Sequence, residues 1–463
     1  MAGQTNAIPT ELGTDKIGKL LKQYALPAII AQTASSLYNM VDSIFIGQGV
    51  GPLAISGLAI TFPLMNLSTA FGTLVGVGAS TMLSVLLGQK NYKGANKVLG
   101  NVVTLNTIIG VVFMAVALLF IDPILYFFGA SENTLPYAKE YITIILIGNV
   151  ITHLYFGLNA AMRSSGNPKK AMGLTIFTVV FNTVLDPIFI FVLDMGIAGA
   201  AWATVIAQTV AMLIVMKHFN DKNKPLHFEK GIFRLDTRVA KDSLAIGMGP
   251  FLMNAAACLV TLFINQQLRD YSGDLGIGAY GICNRFVFMF VMICMGLNQG
   301  MQPIAGYNYG ARQYSRVKEV FWKTARLAMV VTTVCFIFGM FFSRTAVGIF
   351  THDEQLMDLS SRALRIMTLI FPIVGFQMVA TNFFQCLGMV NKSIILSLSR
   401  QLLFLLPLLY MLPKWFSSDG VWYSFPIADT ISTLLTVVLI SRLFKKFNML
   451  KDGDDPSVLG SKL

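Results

Sequence analysis

Apolar runs long enough to cross a lipid bilayer recur from one end of the chain to the other, each closed by a short polar stretch. A hydrocarbon core about 30 Å thick takes roughly 20 apolar residues per helical crossing. Twelve runs reach that length, near 25–46, 53–86, 98–120, 136–161, 171–193, 198–216, 244–268, 276–305, 322–342, 363–386, 394–412 and 421–443. The second and eighth exceed a minimal span, and the Gly, Ser and Pro inside both predict tilt or bending rather than an extra crossing.

The polar stretches repeat. GQKNYKGANKV (88–98) resembles GARQYSRVKEV (310–320), with Gly88 over Gly310, Lys90 over Arg312 and Tyr92 over Tyr314. At the same offset of 222 residues, AMRSSGNPKKA (161–171) lies over FFQCLGMVNKS (383–393), matching Gly166 to Gly388. An offset that holds six crossings preserves orientation, so the two halves are expected to be related by a pseudo-two-fold axis along the membrane normal. The predicted class is therefore an all-α integral membrane protein of twelve transmembrane helices in two six-helix bundles. Its predicted parts are a cytoplasmic N-terminal segment (1–24), a first lobe (25–217), a cytoplasmic linker (218–243), a second lobe (244–445) and a cytoplasmic tail (446–463). The linker is the longest polar interruption and suits two bundles that rock against one another.

Composition agrees with the pattern: of 463 residues, 55% are hydrophobic and 13% charged, against roughly 25% charged in soluble domains. The net charge of +12 points to membrane topology rather than nucleic acid. With the N-terminus inside, only Lys139, Arg269, Arg344, Arg362, Arg365 and Lys414 fall in external loops, and Arg285 and Arg400 fall within spans. The other Lys and Arg are then cytoplasmic, which orients both termini inward. Residues 1–24 lack the apolar core of a signal peptide, so the first helix is expected to be retained. Cys258, Cys283, Cys294, Cys335 and Cys386 lie in apolar runs without metal-ligand spacing and read as core residues.

Charge at a span centre costs roughly 2.5–3.5 kcal/mol on insertion scales, so such residues usually face a cavity and often mark an ion pathway. The candidates are Asp42, His153 and Asp186 in the first half and Arg285, Arg400 and Asp429 in the second. Asn182 and Asp186, four residues apart, share a helical face and supply an amide oxygen and a carboxylate one turn apart. Oxygen ligands of that kind suit a hard cation such as sodium. Pro187 cannot donate an amide hydrogen, which is expected to free the carbonyl of Thr183. Asp42 and Asp186 both fall in the outer halves of their spans, where two acids at one depth can hold a sodium ion or share a proton. The competing reading is that each acid only holds neighbouring helices by hydrogen bonds. His153 is expected to bond a neighbouring helix. Arg285, Arg400 and Asp429 are expected to form a buried ion-paired cluster, with lining of a substrate cavity as the alternative.

At these residues the chain resembles the multidrug and toxic compound extrusion (MATE) family, along nearly its whole length. YNMVDSIFIGQGVGPLAISGLA and FNTVLDPIFIF…GIAGAAWATVIAQ carry the resemblance, which is closer to the MepA- and DinF-like branch than to the NorM branch. It implies a two-lobed antiporter that exports lipophilic, often cationic, drugs in exchange for protons or sodium and needs no other cofactor. It also implies a first-lobe cation site of Asp42, Asn182, Asp186 and Thr204, with Pro27 letting span one bend. Some branches carry an acidic residue in span seven; FLMNAAACLVTLFINQQL (251–268) has none, which locates coupling in the first lobe. The implied setting is a monomer in the bacterial inner membrane, in contact with lipid, small-molecule drugs and no nucleic acid. Two rivals remain open: a flippase for lipid-linked saccharides, with Arg285 and Arg400 as its footing, and an intramembrane enzyme. The enzyme would need a nucleophile with a base, a metal triad or clustered aspartates, and none is evident.

Overall fold

The computed structural model describes residues 11–229, 231, 234–350 and 353–455. The expected termini at 1–10 and 456–463 therefore lie outside the described residues. Every regular element among those described is helical. The longer helices are α1 (Ile17–Gly49), α2 (Pro52–Gly88), α3 (Tyr92–Leu119), α4 (Leu135–Ile147), α5 (Asn149–Ser164), α6 (Pro168–Val192) and α7 (Gly196–Phe219) in the first half. The second half holds α8 (Thr237–Gly273), α9 (Leu275–Gly310), α10 (Tyr314–Phe341), α11 (Glu354–Thr368), α12 (Phe371–Cys386), α13 (Val390–Phe416) and α14 (Ser418–Asn448).

Nine of these are long and apolar enough to cross a membrane by themselves, and two bent pairs, α4 with α5 and α11 with α12, reach that length and apolarity only together, as broken spans or re-entrant loops. The 33-residue α1 contains the first apolar run. Leu119 and Phe127 are each 78% exposed, as lipid-facing side chains are. The pairs bend by 53° and 54°, breaks that the apolar pattern of runs four and ten does not announce. Gly148 makes the first possible, since a Cβ there would stand 2.5 Å from Val205 Cγ2. Pro372, in the opening turn of α12, lacks the amide that would continue α11.

The chain packs as two compact units, one of Ile30–Phe251 with the first described residues up to Thr14, the other of Asp15–Ile29 with Leu252 onward. This differs from a division at the linker, because each half lends the first turns of its first span to the other unit. Glycines allow it. In the first unit, Cβ atoms on Gly78 and Gly247 would stand 1.9 Å from Ser243 O and 1.8 Å from Leu74 O, so only hydrogen fits where α2 crosses the start of α8. In the second, Cβ atoms on Gly296 and Gly300 of α9 would stand 2.6 Å from Ile29 Cα and 2.4 Å from Ala25 Cα of α1. Without a hydrophobic driving force between helices in lipid, such close backbone approach is a main source of association. The linker is also shorter than its polar composition suggests. Asp236 accepts from the amides of Arg238 and Val239 at 3.1 and 3.3 Å and starts α8 at Thr237.

The offset of 222 residues recurs in the backbone. Lys90 and Arg312 adopt φ of 58° and 57°, Gly166 and Gly388 of 90° and 68°, and Gly51 and Gly273 of 115° and 62°. Helices α3 and α10 have the same length and end on Phe120 and Phe342, whose torsions nearly match. The ties across their first turns differ. In the first unit the linker crosses α3, where Asn96 donates to Glu229 at 2.7 Å and accepts from His227 N at 3.2 Å. In the second, residues 452–454 cross α10: Asp452 accepts from Ser315 N at 2.9 Å, and Tyr314 donates to Asp454 O at 2.7 Å.

Candidate functional site

The acids of the first unit come together because the end of α1 packs on the end of α6. Gly49 carries no side chain where Ile190 and Phe191 press against it, and Phe45 meets Phe191 edge to face at 6.4 Å. The contact falls where Pro187 ends regular α-helix and Ile188–Val192 wind as a π-helix. A proline unable to donate its amide is absorbed here by a wider turn, a common device at functional sites. Ile46, Ile190, Ile197, Ala200 and Ala201 close into an apolar cluster. One turn further along their own helices, on one side of it, stand Asp42, Asp186 and Thr204.

Asp42 is 5% exposed, Asn182 2%, Asp186 0% and Thr204 8%. The Asn182 amide bridges two of its neighbours: its NH2 group donates to Asp186 Oδ2 at 3.0 Å, and its oxygen accepts from the Thr204 hydroxyl at 3.2 Å. That orientation leaves no donor facing a donor. Asp186 Oδ1 and Asp42 Oδ1 are buried without a hydrogen-bond partner, and the two carboxyls lie within electrostatic reach of one another. Burying an unmatched carboxylate oxygen is costly. Two of them, with an amide and a hydroxyl, form an oxygen-rich nest suited to a proton or a hard monovalent cation. Asp42, Asn182, Asp186 and Thr204 thus share one locus. Pro27 is elsewhere, inside α1 and two residues before the chain passes from the second unit to the first.

The second-half candidates separate. Arg400, on a π-helical stretch of α13, binds Asp429 of α14 through Nε at 2.5 Å. Arg285 does not join them. It is exposed on α9, with no carboxylate partner among the described residues, so the three-residue cluster reduces to a pair. The reason lies in packing: Cys283 and Phe286 of the same helix face the core, which turns Arg285 outward. His153 is fully buried and donates through Nε2 to Ser68 O of α2 at 2.9 Å, the interhelical bond expected of it. Four of the five cysteines are buried, and none is in a disulfide. Among the described residues no cluster of His, Cys, Asp and Glu could hold a metal.

Residues that sequence reasoning passed over continue the site. Thr178 and Thr175 lie one and two turns further along the Asn182 face of α6, and both contact the buried Tyr155 hydroxyl. Gln208, one turn beyond Thr204, accepts from Thr152. Their signal was available in the spacing of Thr175, Thr178, Asn182 and Asp186, which falls at 3, 4 and 4 residues.

A model of the family described as MatE matches residues 27–188 and 248–411. The chain is 28% identical over 427 residues to the Multidrug export protein MepA of Staphylococcus haemolyticus (strain JCSC1435), a match covering 92% of this chain and 94% of that one. Among solved structures it is similar to the MATE multidrug transporter DinF-BH in complex with a dye, at 35% identity and a TM-score of 0.87 over the full length of both. The fold is also that of an outward-facing MATE family transporter of the MOP superfamily, at 22% identity and a TM-score of 0.89, covering 97% of this chain and 100% of that one.

Proposed function

The chain belongs to the MatE family of multidrug transporters, and on that premise we propose that it is an antiporter that exports lipophilic, often cationic, compounds by alternating access against a proton or sodium gradient. Membership makes it a multi-pass membrane transporter rather than an enzyme. The observation that carries the coupling reading is the pair of buried, unpartnered oxygens on Asp42 and Asp186 beside the Asn182 amide and the Thr204 hydroxyl. Two like charges without a counter-charge in a low-dielectric interior repel strongly. A cation arriving between α1 and α6 relieves that repulsion and draws the two helices together, so occupancy favours one arrangement of α1 over another. Pro27 is the point at which α1 would bend.

Substrate and coupling cation then compete for one electrostatic condition. With both acids negative the unit favours an organic cation; with a small cation bound it favours release. The dye held by DinF-BH and the export named for MepA support drugs and dyes as cargo. The charge bias of the loops supports cytoplasmic termini in a bacterial cell membrane. Of the two arginines that would recognise a lipid-linked saccharide, Arg400 is paired with Asp429, which leaves Arg285 alone as the footing of that rival.

The test is dye exchange in proteoliposomes with sodium and pH gradients imposed separately. The parental protein should accelerate under one of them, and Asp186→Asn should abolish the acceleration while inserting and folding normally. Gradient-driven export at the parental rate by Asp186→Asn would overturn the assignment.

A further inference from the structure

We propose that a column of hydroxyl and amide side chains between α5, α6 and α7 is the route by which the coupling cation leaves the Asp186 site toward the basic end of the first unit. The inference rests on the reading of Asp42 and Asp186 as the coupling site, and adds to it a direction and the residues that line it.

Helix α6 presents Asp186, Asn182, Thr178 and Thr175 on one face, a distance of about 16 Å along the axis at ~1.5 Å per residue. The same interior receives Thr204 and Gln208 from α7 and Thr152 and Tyr155 from α5, each pair one turn apart. The three helices pack against one another, and the side chains link across them. Asn182 lies 3.2 Å from the Thr204 hydroxyl, Thr152 donates to the Gln208 amide oxygen, and the Tyr155 hydroxyl lies 3.3 Å from Thr175 and 3.4 Å from Thr178. At the far end Asn159 donates to Ala171 O at 3.1 Å. There the helices reach Arg163, Lys169 and Lys170, the cluster that the charge rule places at the cytoplasm.

On the opposite side of the acids stands the apolar cluster of Ile46, Ile190, Ile197 and Ala200. The column is also chemically suited to pass a cation. Thr178 and Thr175 give their hydroxyl hydrogens to Leu174 O at 2.8 Å and Ala171 O at 3.2 Å of their own helix, which leaves oxygen lone pairs facing the interior. Tyr155 then donates its own hydroxyl hydrogen to Thr175 Oγ1 at 3.3 Å. Hydroxyl groups of this kind relay protons, and together with the amide oxygens of Asn182 and Gln208 they can replace the water around a small metal cation. Polar side chains gathered inside a membrane bundle are a recurrent mark of such pathways.

The experiment uses the full-length protein in proteoliposomes, with the dye of the DinF-BH complex as the probe. It compares the parent with Asp186→Asn, the pair Tyr155→Phe with Thr178→Val, Gln208→Leu and Thr178→Ser. Two rates are read: release of bound dye in one turnover after the cation is added outside, and sustained exchange over many turnovers. Interhelical hydrogen bonds in membranes contribute little to stability on average, so the column variants should keep their melting temperature and their single-turnover release. Their sustained exchange should fall by about tenfold or more, because the cation cannot leave to reset the site, and Thr178→Ser should run close to the parental rate. Sustained exchange at the parental rate in Tyr155→Phe with Thr178→Val and in Gln208→Leu overturns the route while leaving the coupling site intact. Loss of single-turnover release together with melting temperature overturns it as well, in favour of a packing role. Cation-triggered release by Asp186→Asn at the parental rate would instead remove the coupling site, and the route with it.

Discussion

Asp186 in the first unit and Asp429 in the second are buried to 0% and 3% exposure, each on an interior helix face, yet their oxygens are treated in opposite ways. Asp429 receives Arg400 Nε at 2.5 Å, whereas Asp186 receives one amide contact and keeps a second oxygen unmatched. The offset of the repeat sharpens the contrast. Arg400 stands 222 residues after Thr178, so the cation of the second unit's ion pair occupies a position that holds a neutral hydroxyl in the first. One interior is closed with a pair of opposite charges and the other holds acids with no counter-charge. A paired charge stabilises without needing a ligand, and an unmatched one invites a ligand at some expense to stability.

The largest expected effect breaks that contrast at its centre. Asp186→Asn should lower gradient-driven exchange on the order of 100-fold, the scale on which a group that carries a proton in the reaction matters, with its melting temperature unchanged or raised. Asp429→Asn should do the reverse. It leaves Arg400 without its counter-charge and should destabilise the protein by roughly 2–3 kcal/mol, less than a fully buried pair because the Arg400 side chain is 32% exposed. Thermal unfolding in detergent reads the second effect, and exchange per folded molecule the first. If Asp429→Asn proves the stronger transport defect, the roles of the two units are reversed. Replacing both partners together, Arg400→Met with Asp429→Leu, should recover most of the stability that Asp429→Asn loses. Failure to recover would mean that the pair acts in transport.

These outcomes bear on how much the sequence could reveal. Helix number, the repeat and the Asn182–Asp186 face follow from periods of about 20, 222 and 4 residues, which survive translation into structure because membrane helices must satisfy their backbone internally. The exchange of Asp15–Ile29 and Thr237–Phe251 between units was not legible. It depends on which glycines meet which backbone, and Gly78 and Gly247 look like any other glycines in an apolar run. The separation of Arg285 from Arg400 and Asp429 failed for a similar reason. Its orientation is set by Cys283 and Phe286 facing the core, a choice of helix face that period alone leaves open. Thr204 was reached through family resemblance, since nothing in GAAWAT marks it apart from the contact with Asn182.

The smallest predicted effect extends the comparison to the polar ends of the units. Asn91 caps α3 through its own side chain, accepting from Gly94 N at 2.9 Å, whereas Gln313, its counterpart before α10, makes no such bond. Asp452 supplies it from the tail, accepting from Ser315 N at 2.9 Å and the Ser315 hydroxyl at 2.5 Å. Asn91→Ala and Asp452→Ala should therefore each cost about 1 kcal/mol, but only the second should also free the tail. Partial burial opposes ionisation of Asp452, yet the Ser315 hydroxyl, the Ser315 and Tyr314 amides and the Lys318 charge outweigh it and hold the carboxyl below its ordinary 3.8. A depressed acid stabilises the folded state above the ordinary value and loses that contribution as pH falls through the folded one. Amide exchange at Ser315, corrected for its intrinsic pH dependence, should rise once pH drops below about 3.8, while Gly94 stays protected because its cap is a neutral amide. Equal loss at both positions would mean that the tail docks on α10 without capping it.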